Sequence, residues 1–190
     1  MPQPVRLTAI DNNSTDGISN VGLVSGVLKT VSVTKALAAA ANYAAEDVLS
    51  ESTSAGTVWT FSAISRVNGA YGAIVKAVAS LETTALSPRL TLYLFNAAPG
   101  TAELDDNKAN TVVANADISK YVGRIDFPAL EDLGGNSEAI VTPSTIGNLP
   151  LAFQCASSAD DLIGICVTRD AITGEAATDD LTINLTVEQY

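Results

Sequence analysis

The sequence predicts an all-β chain, a jelly-roll-like antiparallel β-sandwich with an extended N-terminal arm. Three observations carry that expectation. Short segments alternate apolar and polar residues with a period of two, as strands do because successive side chains point to opposite sides of a sheet. These segments recur at regular spacing with turn signals between them. Only 16% of residues are charged, and small and β-branched residues are abundant, which suits strands packed on both faces. Residues 89–95 show the pattern best: Leu90, Leu92 and Leu94 share one face, and Thr91, Tyr93 and Phe95 the other. Pro99-Gly100 follows as a stop. Both faces of this segment can be buried, so it is expected to be a central strand.

Taken in order, residues 1–25 read as a flexible arm. Pro2 and Pro4 block early regular structure, and residues 11–17 are polar and turn-rich with nothing to bury. Residues 26–190 then form the sandwich domain. Residues 27–34 alternate, with Val27, Val31 and Val33 on one face. The alanine-rich stretch 35–43 has helix propensity but no apolar stripe, and it is expected to be a loop or a single helical turn. Residues 43–50 lead into a second strand. A third spans 58–64, with Trp59, Phe61 and Ala63 on one face, and Asn68-Gly69 marks a turn.

Residues 72–81 make a long fourth strand, and 89–95 follow. Residues 99–120 are an acidic excursion around Asp105-Asp106, with one helical turn expected at 115–120. Residues 121–127 put Ile125 and Phe127 inward before Pro128 ends the strand. Segments 138–142, 151–155, 162–168 and 181–187 complete the series. In the last, Leu181, Ile183, Leu185 and Val187 alternate with Thr182, Asn184 and Thr186. Eight or more strands with uneven connections fit a jelly roll better than an immunoglobulin sandwich, whose Cys–Trp–Cys order is missing because Trp59 precedes both cysteines.

Composition argues against several functions. With no histidine, the commonest general base and metal ligand are absent. A net charge of −11 argues against nucleic acid, which needs a basic face to displace counterions, and against an anionic membrane surface. Cys155 and Cys166 fall on neighbouring predicted strands and are expected to be free core thiols, as in a reducing cytoplasm. The N-terminus does not read as a secretory signal, and no apolar run is long enough to span a bilayer.

Three acidic pairs lie in predicted loops: Asp105-Asp106, Asp160-Asp161 and Asp179-Asp180. Loop carboxylates can hold calcium, but none of these follows the EF-hand spacing. They read instead as solvated loop ends that interrupt strands. A carboxylate pair can also serve a glycosidase, yet adjacent aspartates are common in acidic chains and carry little weight. No catalytic, cofactor-binding or metal residue is assigned, and no enzyme activity is expected.

Several segments together resemble a family of bacteriophage virion proteins, small jelly-roll proteins that decorate or cement the head or form head fibres. They are Tyr43-x-x-x-Asp47-Val48-Leu49, Phe61-Ser-x-x-x-Arg66-Val-Asn-Gly69, Leu90-x-Leu-x-Leu-Phe95-Asn-x-x-Pro99, Gly123-x-Ile-x-Phe127, Asn148-Leu-Pro150 and Asp180-Leu-Thr-Ile-Asn-Leu185. The match spans roughly residues 40–187 in the family's order; the arm lies outside it, and the alanine-rich segment departs from it. The resemblance implies no catalytic residues and no cofactor. It implies a homotrimer on the capsid exterior, bound to the major capsid protein and made in the bacterial cytoplasm. Its arm would touch the coat, with Pro2, Pro4, Val5, Arg6 and Leu7 as the contact residues. The alternative is a head-fibre or receptor-binding protein that recognises host glycans, which an exposed aromatic shelf beside loop carboxylates would favour.

Overall fold

A computed structural model describes residues 27–39, 41–143 and 148–190. The five arm residues named above therefore lie outside the described residues. The strands are β1 (Val27–Ala36), β2 (Val48–Leu49), β3 (Trp59–Phe61), β4 (Tyr71–Leu81), β5 (Leu90–Phe95), β6 (Tyr121–Phe127), β7 (Glu131–Asp132), β8 (Ser137–Val141), β9 (Leu151–Gln154), β10 (Leu162–Thr168) and β11 (Asp180–Gln189). A 3-10 turn, Asn115–Asp117, is the one helical element among the described residues, so no helix there is long and apolar enough to cross a membrane.

The strands form two antiparallel sheets packed face to face, a β-sandwich. The first sheet runs β1-β11-β4-β8-β7, with β9 also on β4; the second runs β2-β10-β5-β6, with β3 also on β10. One set of pairs is nested, and β4 on β11 and β5 on β10 join those pairs into the two sheets. β1 joins β11, β2 and β3 join β10, β4 joins β8 and β9, and β5 joins β6. Between the sheets lies the main core, which includes Trp59, Phe61, Leu90, Leu92, Leu94, Ile125, Phe127 and the inward residues of β11. Each fully buried Leu or Ile contributes about 1.5–3 kcal/mol relative to its exposed state.

Strand β5 is buried along its whole length because a second, smaller core covers its other face. Tyr93 and Phe95 join Val48, Ile163, Ile165 and Val167 there, under Ala102, Leu104, Val112 and Val113 of the 99–120 excursion. Asp117 pins that excursion by accepting from the amides of Gly100 at 2.9 Å and Thr101 at 3.2 Å and from the Thr101 hydroxyl at 2.7 Å. The excursion is thus a third layer over the second sheet, not the polar loop its composition suggests.

Two local expectations are corrected, and one open alternative is resolved. The third strand ends at Phe61, because Ala63 adopts φ 52° and cannot continue it. The carbonyls of that turn are held by Lys29 Nζ and by Gln189 Nε2, which donates to Ile64 O at 2.8 Å. Of the two forms expected for the alanine-rich stretch, the described residues after β1 take the loop: Leu37 N–H still donates to Asp179 O at 3.0 Å, and Ala38 N–H turns to Ser50 O at 3.0 Å in the facing layer. The cysteines are not on neighbouring strands. Cys166 lies on β10 and Cys155 just after β9, in different sheets, and both are buried free thiols.

The first sheet ends on β1, which has no strand on its outer side among the described residues. Its two lysines point inward. Lys29 donates to Ala63 O, and Lys35 pairs with Glu51, donates to Thr57 and lies 5.6 Å from the centre of the Trp59 ring. An inward charge is a known way to keep an edge strand from pairing indiscriminately.

Candidate functional site

The acidic pairs do not converge. Asp105 Oδ1 accepts from Gly56 N–H at 2.9 Å, the Asp160 carbonyl from Ser65 N–H at 3.1 Å, and Asp179 from the Thr83 hydroxyl. Among the described residues no group of three or more His, Cys, Asp or Glu side chains gathers to hold a metal ion. One pair member corrects the solvated reading outright: Asp106 is 0% exposed. Its carboxylate accepts from Ala39 N–H at 3.1 Å, Ser50 N–H at 2.8 Å and Tyr43 Oη at 3.0 and 3.1 Å. The chain on both sides of β2, from Ala39 to Ser50, is gathered onto it, so its work is structural.

Beside this cluster, Glu175 accepts from Thr83 Oγ1 at 3.2 Å, while its Oε2 is buried with no hydrogen-bond partner. Burial, with Asp179 and Asp106 nearby, pushes its carboxyl up to about 7 from an ordinary 4.5. A raised carboxyl favours the folded state while protonated. Its contribution is complete below about pH 4.5 and is lost as pH rises through 7. Glu175→Gln keeps the shape and cannot ionise. At pH 8 it is expected to gain about 1 kcal/mol over the parent, after discounting for solvent screening, and to differ little at pH 4. Thermal melts at the two pH values check this.

The feature best suited to recognition is the outer face of the first sheet. The register places Thr30, Ser32 and Thr34 of β1 opposite Thr186, Asn184 and Thr182 of β11. Beyond β11 come Ser80 and Val78 of β4, then Ile140 of β8. Hydroxyl pairs tie the first two strands, Thr30 to Thr186 at 3.1 Å and Thr34 to Thr182 at 2.8 Å. An irregularity opposite Thr186 leaves Val75 unpaired, so Ile74 and Ala77 both stay in the core while Lys76 faces out. In a chain of net charge −11, Lys76 is the charge at the middle of this face, and Asp180, Glu138 and Glu188 lie towards its ends.

At one end the face turns apolar and aromatic. Leu28 is 65% exposed, Tyr71 59% and Tyr190 43%. The two tyrosine rings sit 6.5 Å apart at 43°, and Tyr190 Oη donates to Glu188 at 2.9 Å. Residue 27, where the described chain begins, enters beside this patch. The alternation in the sequence set Thr182, Asn184 and Thr186 on the face opposite the apolar residues of the last strand but gave these positions no role of their own. The available signal was the scarcity of charge in the outward halves of β1 and β11, where surface strands usually carry Lys and Glu.

No family model matches the chain, and no curated protein matches it significantly.

Proposed function

We propose that this chain is a structural virion protein that binds the outside of an assembled bacteriophage capsid as a trimer and stabilises it. The observation that carries the reading is the sparsely charged outer face of the first sheet. Protein interfaces are depleted of charge at their centres and enriched in tyrosine. Three strands of ten or eleven residues, with β8 and β9 together making a fourth row beside β4, lie about 4.8 Å apart and give a face on the order of 600 Å² before side-chain relief. A standard interface buries about 800 Å² per partner, so the face is of the right order. The nested strand pairing, first with last and inward to the β5–β6 hairpin, supports the jelly-roll reading. On this reading the partners are the major capsid protein and two further copies, and the place is the capsid exterior.

Light scattering of the full chain at micromolar concentration is expected to give a trimer that adds to heads lacking it. Asn184→Arg adds a second positive charge, close to Lys76, at the centre of the face. It is expected to change folding stability by less than about 0.5 kcal/mol while leaving a monomer that no longer adds to heads. A clean monomer from the unaltered chain would sink the three-fold reading.

A second reading, a head-fibre or receptor-binding protein for host glycans, is favoured by the exposed Tyr71–Tyr190 pair beside Glu188. Aromatic faces stack on the apolar faces of sugars while nearby polar groups take the hydroxyls. A glycan-array signal that disappears in Tyr71→Ala would move the balance to it.

A further inference from the structure

Three of the chain's five arginines meet at one place. Arg89, Arg124 and Arg169, with Thr91 and Asp126, line a shallow depression of about 210 Å³ on the outer face of the second sheet. The strand register explains the convergence. Arg169 N–H donates to Arg89 O at 2.8 Å, which sets those two side by side. Arg124 lies opposite Tyr93 on the next strand, one step along the same face from the Thr91–Asp126 pair.

Each guanidinium is aimed by a carboxylate. Arg89 grips Asp170 through Nε at 3.0 Å and Nη2 at 2.6 Å. Arg169 donates Nη1 to Glu46. Arg124 donates only Nε, at 3.1 Å, to Asp126 Oδ2. Asp126 is itself fixed by Thr91 Oγ1 at 2.9 Å and Asn148 Nδ2 at 2.8 Å. A guanidinium is always charged and presents a planar fork of donors. The paired carboxylates use one side of each fork and orient the rest. Both terminal amino groups of Arg124 and the Nη2 of Arg169 are left without a hydrogen-bond partner among the described residues.

We infer that this depression binds a carboxylate carried on an acidic segment of a partner protein. Planar forks match a carboxylate bidentately. The local charges balance and the chain is strongly acidic, so the depression lacks the broad basic face that nucleic acid needs, and recognition of a carboxylate rests on short-range contact with the forks. Asp126 in the wall repels a phosphate dianion more than a singly charged carboxylate. The inference does not depend on the assembly proposed above, because this face lies on the opposite sheet.

The test titrates the full-length protein, labelled in its arginine side chains, with a hexaglutamate peptide and separately with inorganic phosphate, followed by NMR. The expected result is saturable movement of the Arg89, Arg124 and Arg169 Nε–H signals with hexaglutamate, weakened by added salt. Arg124→Gln and Arg169→Gln should each weaken binding about tenfold. Backbone spectra confirm that each variant is folded, and Arg66→Gln, at an exposed arginine outside the depression, should bind as the parent does. No saturable movement, unchanged binding in Arg124→Gln, or phosphate binding as tightly as the peptide would each overturn the inference.

Discussion

Asp106→Ala is expected to lose about 3 kcal/mol of stability, because it leaves the Ser50 amide and a buried phenol without an acceptor and leaves the Ala39 amide only the Tyr43 hydroxyl. The donors are Ala39, Ser50 and Tyr43, and the carboxylate that serves them is fully buried. In a chain of this size the loss should lower the melting temperature by about 10 °C. Asp106→Asn separates geometry from charge. Burial raises this carboxyl above the ordinary range, so the charge itself is held at a cost. The amide keeps an acceptor and sheds the charge, and a loss nearer 1 kcal/mol is expected. Urea melts of the two variants check the order; an alanine variant within about 0.5 kcal/mol of the parent would mean that the stretch from Ala39 to Ser50 does not depend on this side chain.

The second large effect is at Lys35, which is 8% exposed on the inner side of β1. Its ammonium joins Glu51 and both oxygens of Thr57, tying the edge of the first sheet to the segment that leads into Trp59. Burial lowers the Lys35 pKa although Glu51 opposes the shift. Burial alone would raise Glu51, but the Lys35 ammonium and the Thr57 hydroxyl bring it down to about 2. Lys35→Ala removes one partner of a largely buried pair and the alkyl stem packed near Trp59. The expected cost is about 3 kcal/mol. Lys35→Met restores the apolar volume, and Glu51 keeps the Ser50 hydroxyl and the Thr57 amide and hydroxyl. It should cost about 1 kcal/mol. Guanidinium unfolding checks both, with an unchanged m-value showing that the denatured state is unaffected.

Much of the sandwich was legible because period-two alternation has a single physical cause. Leu181, Ile183, Leu185 and Val187 point inward as their spacing requires, and residues 90–95 have two buried faces. What stayed hidden depended on contacts distant in sequence. Nothing near Asp106 announces that the amides of Ala39 and Ser50 will converge on it. The apolar residues Leu104, Val112 and Val113 are too scattered to show a period, so the covering layer read as loop. Ala63 has no local feature that demands a positive φ; its turn is held by Lys29 and Gln189. The recognition surfaces were harder still, since the Thr and Ser face differs from a plain solvated one only in what it lacks. The arginine depression brings together residues 89, 124 and 169, whose proximity only strand pairing creates.

Cys155 and Cys166 enter one core from opposite sides, and burial pushes the Cys166 thiol up to about 12. Thiolates, not thiols, are the reactive species, so an alkylating reagent finds nothing to attack while the layers stay together. The pace at which such a reagent consumes these two atoms is a built-in stopwatch for how often the halves of the molecule part.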